Sequence, residues 1–178
     1  LATCSLDGHV RIYEALDVMN LAYWTVNQEF EATNGRSAAT CLSWNPSRFE
    51  EPMLVIGSQD GSVTIRQCDG NHRRWQLVLT LDPHSDVVND VAWAPNLGRS
   101  YHLIATASKD GKARIYKLEK DKNGVYAVKE KTELTQHKAE VWKVEWNLTG
   151  TVLGTSGDDG TVRLFRCVNG QWVQDQEL

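Results

Sequence analysis

His84, Ser108 and Asp110 are the residue types of a base, a nucleophile and an orienting carboxylate, the set that acyl transfer requires. A triad is defined by mutual geometry, however, and these residue types also recur at fixed places in a repeat, so hydrogen bonds internal to that repeat account for them. Asp158 and Asp159, in a Gly-Asp-Asp-Gly run, invite a calcium reading. An EF-hand loop needs oxygen ligands at several alternating positions and a late Glu, and the run has neither, which leaves a tight turn. Cys4, Cys41, Cys68 and Cys167 form no Cys-x-x-Cys pair and have no His at a zinc spacing, so they read as buried reduced thiols of a reducing compartment. No catalytic, cofactor-binding or metal-ligating residue is therefore expected, and the chain reads as non-enzymatic.

Other patterns resolve in the same way. Arg11, Arg114 and Arg163 each follow a turn Asp by four residues and could line a peptide-reading ring, but Thr64 breaks the series and local pairing along a strand explains them. Asn147-Leu148-Thr149 fits a glycosylation sequon, against which stand a reducing compartment and a turn role. Most of the seven tryptophans fall at repeat-equivalent positions and suit packing between units; Trp142 has no counterpart.

The charges, −4 net, are scattered in short mixed runs such as Lys117 to Lys122, so no basic face offers itself to a phosphate backbone and no direct nucleic-acid partner is expected. With 41% hydrophobic and 24% charged residues the composition is that of a soluble domain. No run approaches the roughly 18 apolar residues of a membrane span. Leu1 opens no signal-peptide pattern, and the sequence begins inside a motif, from which a missing N-terminal part is expected.

The elements that must position these residues are set by an internal repeat of about fifty residues. An apolar stretch, Asp-Gly and an alternating strand recur with their aspartates at Asp7, Asp60, Asp110 and Asp159, at intervals of 53, 50 and 49. A tryptophan late in an alternating strand recurs as Trp44, Trp93 and Trp146, at 49 and 53. An aromatic in a later strand recurs as Trp24, Trp75, Tyr126 and Trp172, at 51, 51 and 46. Short runs rich in Val, Ile, Thr and aromatics with period two indicate strands, four antiparallel ones per unit. In the best-defined unit they span about Val88 to Ala94, Tyr101 to Ser108, Lys112 to Leu118 and Val125 to Thr132, with a charged hairpin tip over Glu119 to Gly124. Asp-Gly falls between strands two and three, where a tight hairpin needs a positive φ that Gly tolerates and where Asp bonds nearby amides.

Four strands per unit, Asp-Gly between the second and third, and a His nine residues before the first-strand Trp (His84 to Trp93, His137 to Trp146) resemble the WD-repeat family over the whole chain. The resemblance implies an all-β fold, a β-propeller, with residues 1-178 as the C-terminal half of one propeller: a blade remnant at 1-30 and blades at about 36-82, 84-134 and 137-176. It further implies a hydrogen-bonded set in which the loop His is His84 and His137, the second-strand Ser is Ser5, Ser58 and Ser108, and the turn Asp is Asp7, Asp60, Asp110 and Asp159. The third-strand Trp is replaced by Tyr13, Arg66, Tyr116 and Phe165, Gly157 stands for Ser in the last repeat, and Gly35 stands where the second repeat's His belongs. Those two repeats are expected to lack the full buried network.

Asp17 to Leu21 followed by Trp24, Cys41 to Phe49, Ala94 to Leu118 and Glu140 to Phe165 resemble, more narrowly, the small propellers shared by the Y-shaped outer ring of the nuclear pore and the COPII coat. The Cys41 and Ala94 segments favour the nucleoporin branch. That branch implies an open six-bladed propeller of which about three and a half blades are present, completed by a blade from an α-solenoid nucleoporin. It implies a scaffold role in pore assembly and nucleocytoplasmic transport, including that of mRNA, at the nuclear envelope beside other outer-ring subunits, with membrane association only through the complex. Alternatives are a COPII-type or a lysosomal or vacuolar nutrient-signalling coat propeller, and a peptide-reading propeller of an enzyme complex such as a ubiquitin ligase. Independently of the resemblance, three units and a trailing half do not close a ring of the usual four to eight blades, and uncovered blade faces promote association.

Overall fold

The computed structural model describes residues 1–33, 37–70 and 74–177. Fifteen strands, with one short 3-10 turn at Leu21–Tyr23, make up the regular structure of these residues. Blade 1 is a three-stranded sheet of β1 (Ala2–Cys4), β2 (His9–Glu14) and β3 (Thr25–Glu31). Blade 2 holds β4 (Ala39–Trp44), β5 (Met53–Ser58), β6 (Val63–Asp69) and β7 (Arg74–Leu81). Blade 3 holds β8 (Val88–Trp93), β9 (His102–Ser108), β10 (Ala113–Lys120) and β11 (Tyr126–Leu134). Blade 4 holds β12 (Val141–Trp146), β13 (Val152–Gly157), β14 (Val162–Val168) and β15 (Gln171–Glu177). Each sheet is a simple antiparallel meander in chain order, the arrangement that short connections between consecutive strands favour.

The blades stack face to face through their first strands, β4 against β8 and β8 against β12. Both faces of an inner blade are therefore apolar. Between blades 2 and 3 lie Met53, Val55, Val63 and Ile65 against Val91, Trp93, Ile104 and Tyr116. Between blades 3 and 4 lie Leu103, Ala105, Ala113 and Ile115 against Val144, Leu153 and Phe165. Between blades 1 and 2, Val10 packs with Leu54 and Ile56. Each unit can bury its faces only against its neighbours, the physical basis of repeat architectures.

The strands of blade 3 differ from the sequence reading by a residue or two. β10 reaches Lys120 and β11 runs from Tyr126 to Leu134, because the pairing continues to Lys120↔Tyr126 and the charged tip shrinks to a turn over Asp121–Val125. In that turn Asp121 accepts the amides of Asn123 and Val125, both at 2.8 Å. The four Asp-Gly pairs form the β1–β2, β5–β6, β9–β10 and β13–β14 turns, and each Asp carboxylate accepts the amide two residues on: His9, Ser62, Lys112 and Thr161. Glycine is required at Gly61, where φ is +84° and a Cβ would stand 2.3 Å from the His84 carbonyl oxygen of the next blade's entry loop.

A second repeated feature lies in the first strands. Each carries a bulge after its first residue, at Thr40 in β4, Asn89 in β8 and Trp142 in β12. A bulge re-aims one side chain out of the alternation. Thr40 Oγ1 donates to the Val88 carbonyl at 2.5 Å, and Asn89 Nδ2 donates to the Val141 carbonyl at 2.9 Å. Val88 and Val141 are the opening residues of β8 and β12, so each bulge residue clasps the first strand of the next blade.

Candidate functional site: buried His-Thr-Asp networks at the blade edges

The loop entering blade 3 brings His84 over the end of β9. Its side chain is fully buried, with Nδ1 2.9 Å from Asp110 Oδ2 and Nε2 2.8 Å from Thr106 Oγ1. Burial lowers the affinity of His84 for a proton, and the positive Arg114 adds to this against the pull of Asp110. Burial opposes ionisation of Asp110, but the bond from His84 and the amides of Lys112 and Ser85 outweigh it and hold the carboxyl below its usual range. The pair is thus a neutral imidazole and a carboxylate: Nδ1–H donates to Asp110, and Nε2 accepts from the Thr106 hydroxyl.

Blade 4 repeats the arrangement. His137 lies 3.0 Å from Asp159 Oδ2 through Nδ1 and 2.7 Å from Thr155 Oγ1 through Nε2. Burial again resists the charge on Asp159, and bonds from Arg163, Thr161 and His137 overcome it, so its carboxyl titrates well below the ordinary range.

Ser108 is not the hydroxyl that meets the histidine. Its Oγ donates to the Asp86 carbonyl at 3.2 Å and accepts the Asp110 amide at 3.1 Å, which closes the turn. Thr106 and Ser108 are two apart on one strand and share a face, and the His ring reaches the deeper of the two. The expectation that Gly157 deprives blade 4 of its network is corrected for the same reason, since Thr155 supplies the hydroxyl. Gly157 instead makes room: a Cβ there would stand 2.7 Å from the Glu140 carbonyl and 3.0 Å from His137 Nδ1. The signal that would have found these residues is a Thr four places before the turn Asp in both repeats that carry the His.

Blade 2 is built differently. The position of Thr106 holds Ile56, which is fully buried, and Thr64 across the strand pair from it donates to the Ala32 carbonyl at 3.2 Å. Among the described residues Asp60 bonds within its turn and to Ser37, through the Ser62 amide at 3.0 Å, the Ser62 hydroxyl at 2.6 Å and its own amide to Ser37 Oγ. Buried Ser58 Oγ finds no hydrogen-bond partner among the described residues. Gly35, read as standing in the histidine's place, lies outside the described residues. In blade 1, Arg11 pulls Asp7 down to about 2 through a 2.7 Å bond, with the His9 amide adding to it, and Arg11 also meets Glu29 at 2.8 Å.

These contacts settle what the candidate chemical groups do. Both ring nitrogens of His84 are engaged by Asp110 and Thr106, so no base faces Ser108. The recurring arginines pair locally: Arg114 donates to the Asp82 and Pro83 carbonyls and meets Glu133, and Arg163 joins Asp159 to Glu177. Among the described residues no group of three or more His, Cys, Asp or Glu is placed to hold a metal ion. The four cysteines are free thiols, but only Cys41 is buried, its pKa pushed up to about 12 by burial, while Cys167 is exposed. No helix is long and apolar enough to cross a membrane among the described residues. An apolar groove of about 490 Å³ runs between blades 3 and 4 past Tyr101, Ile115 and Trp172.

Comparison with known proteins agrees with this architecture. The profile of the anaphase-promoting complex subunit 4 WD40 domain matches residues 96–178. The chain is 44% identical over 182 residues to nucleoporin SEH1-A of Xenopus laevis, covering 93% of this chain and 49% of that protein. It is 42% identical, with the same coverage, to nucleoporin SEH1 of Homo sapiens and of Danio rerio. The chain spans about half the length of these curated relatives. Stacked antiparallel meanders, Asp-Gly turns at one end of each blade and these likenesses make the fold an all-β, open β-propeller of about three and a half blades, similar to WD-repeat proteins.

Proposed function

We propose that this chain is part of a structural scaffold subunit of the nuclear pore outer ring, which binds an α-solenoid nucleoporin that contributes a further blade. The observation that carries the reading is 42–44% identity to proteins named nucleoporin SEH1, spread over 93% of the chain. The histidines, carboxylates and hydroxyls that could have done chemistry are spent on holding blades together, which suits a protein whose product is a surface. On this reading the protein is no enzyme. It forms one propeller domain with blades over about 36-82, 84-134 and 137-176 beside the remnant at 1-30, sits at the nuclear envelope among other outer-ring subunits, and meets the membrane only through them.

The test is purification of the full-length protein from cells followed by gel filtration and mass spectrometry. A stoichiometric α-solenoid nucleoporin with outer-ring subunits is the expected result; vesicle-coat or lysosomal-coat scaffolds in their place would overturn it. The match to the anaphase-promoting complex subunit 4 domain favours a second reading, a peptide-reading propeller in a ubiquitin ligase. That reading predicts ligase subunits in the same fractions and binding of short peptides.

A further inference from the structure

Blades arranged radially diverge toward the outside, and this chain treats the wedges between them in different ways. Between blades 2 and 3 it fills the wedge with a carboxylate of its own. The β4–β5 loop carries Glu50 across to blade 3, where Oε1 accepts from Lys120 Nζ and from the Tyr126 hydroxyl, both at 3.2 Å. Glu50 Oε2 lies 3.4 Å from His102 Nε2 and accepts from Asn45 Nδ2 at 2.9 Å. His102 and Tyr126 are both buried.

Between blades 3 and 4 the charges are reversed. The β8–β9 loop offers Arg99 rather than an acid, and the groove of about 490 Å³ is lined by three cations, Arg99, Lys117 and Arg166, against one carboxylate, Glu130. That lining runs against the net charge of the chain, −4. Buried Leu103 and Ile115 form the floor, and exposed Arg166 and Cys167 stand at the mouth. Two of the cations converge on one ring: Arg99 Cζ lies 5.6 Å and Lys117 Nζ 4.8 Å from the Tyr101 centroid. Lys117 is shared between Glu130 at 3.2 Å and Glu119 at 3.4 Å, and Arg166 holds Asp175. Among the described residues Arg99 meets no carboxylate: it donates to the Gly150 and Pro95 carbonyls, and its buried Nε–H finds no acceptor.

We infer that this groove is a docking site for an extended acidic segment of a partner protein, one that sets a bulky apolar side chain beside a carboxylate. The apolar side chain lies on Leu103, Ile115 and Trp172. The carboxylate stands by Arg99 and Lys117 at Tyr101, as Glu50 stands by Lys120 at Tyr126 one wedge earlier. There it gives Arg99 a charge-assisted partner, stronger than the neutral carbonyls it now holds. The volume suits a small ligand or a few side chains rather than a folded element. A peptide rather than a free organic acid is the source, because the occupant of the preceding wedge arrives on a loop, in the run Phe49-Glu50-Glu51. An extended chain also alternates its side chains between two faces, which suits an apolar floor under a basic rim. The inference does not depend on which assembly the protein joins.

The experiment uses the full-length protein with the subunits that co-purify with it. Its probe is a degenerate set of short fluorescein-labelled peptides in which Asp or Glu alternates with Leu, Ile, Phe or Trp, read by fluorescence anisotropy. Saturable binding is expected, roughly tenfold tighter than that of a matched set with Lys in place of the acids, and weakened by salt. Replacing both mouth cations that do not tie the blades together, by Lys117→Gln with Arg166→Gln, is expected to weaken binding about tenfold and to flatten its salt dependence. Cys167→Trp, at an exposed strand position, fills the mouth and is expected to abolish binding with the melting midpoint unchanged. Should that variant melt lower, the glutamine pair decides alone. Equal binding of the acidic and basic sets, no binding of either, or wild-type affinity in the glutamine pair overturns the inference. Binding of decanoate without binding of the peptides overturns it too, since the groove then takes a free organic acid.

Discussion

Blades 2 and 3 share a strand order, a bulge and an Asp-Gly turn, yet they solve the interior of the repeat in opposite ways. Blade 3 buries a polar set, His84, Thr106 and Asp110, with Arg114 tying the same entry loop. Blade 2 buries Ile56 at the threonine's place and Thr64 at the arginine's, and its Asp60 stays in the turn. The substitutions travel together, because a lone member of the polar set would be left unsatisfied in the core while the complete set or its complete replacement is tolerated. The apolar faces between blades therefore make the fold, and the polar network fixes how an entry loop lies across a blade that the faces have already formed.

That comparison can be broken at several points. The largest effect is expected from Asp110→Ala, which strands the buried Nδ1–H of His84 and should cost about 2–3 kcal/mol in chemical denaturation; Asp60→Ala should cost only a small fraction of that. An equal loss at both positions would show that the turn rather than the network is what Asp110 supports. Next, His84→Leu and Thr106→Ile should each destabilise by about 1–2 kcal/mol. The double variant, which replaces both partners of the His84–Thr106 bond by apolar groups, should recover most of the loss in a mutant cycle, and additive losses would refute coupling.

A smaller effect is expected with pH. His84 binds its proton more weakly when folded than the ordinary 6.5, so between those two values the unfolded chain holds more protons and stability rises with pH. The contribution is complete above about 6.5 and is lost as pH falls toward the lowered folded value. Asp110, likewise lowered when folded, adds a second loss that begins below its ordinary 3.8. Denaturation at stepped pH should show the first window in the wild type and a flatter profile in the His84→Leu, Thr106→Ile variant. Buried His102 beside Glu50, also lowered, remains in both proteins and sets the residual slope.

Much of this was legible in the residues themselves. The fifty-residue period, the four strands and the turns follow from local rules, since period-two alternation specifies a half-buried strand and Asp-Gly suits a tight hairpin whatever surrounds it. The identity of Asp110 and Asp159 as turn residues, and of His84 and His137 as a recurring set, belongs to the same level. The hydroxyl partner did not, because Ser108 and Thr106 lie on the same strand face and only the depth to which the His84 ring enters selects between them. Nor did the clasps: Thr40 and Asn89 follow no pattern that the sequence would group, and they become equivalent only once a bulge in each first strand turns them toward the next blade. Local alternation and turn chemistry thus determined which strands form and in what order. The meeting of strands about fifty residues apart decided which polar groups pair and which faces are buried, since both depend on distances that no stretch of chain carries within itself.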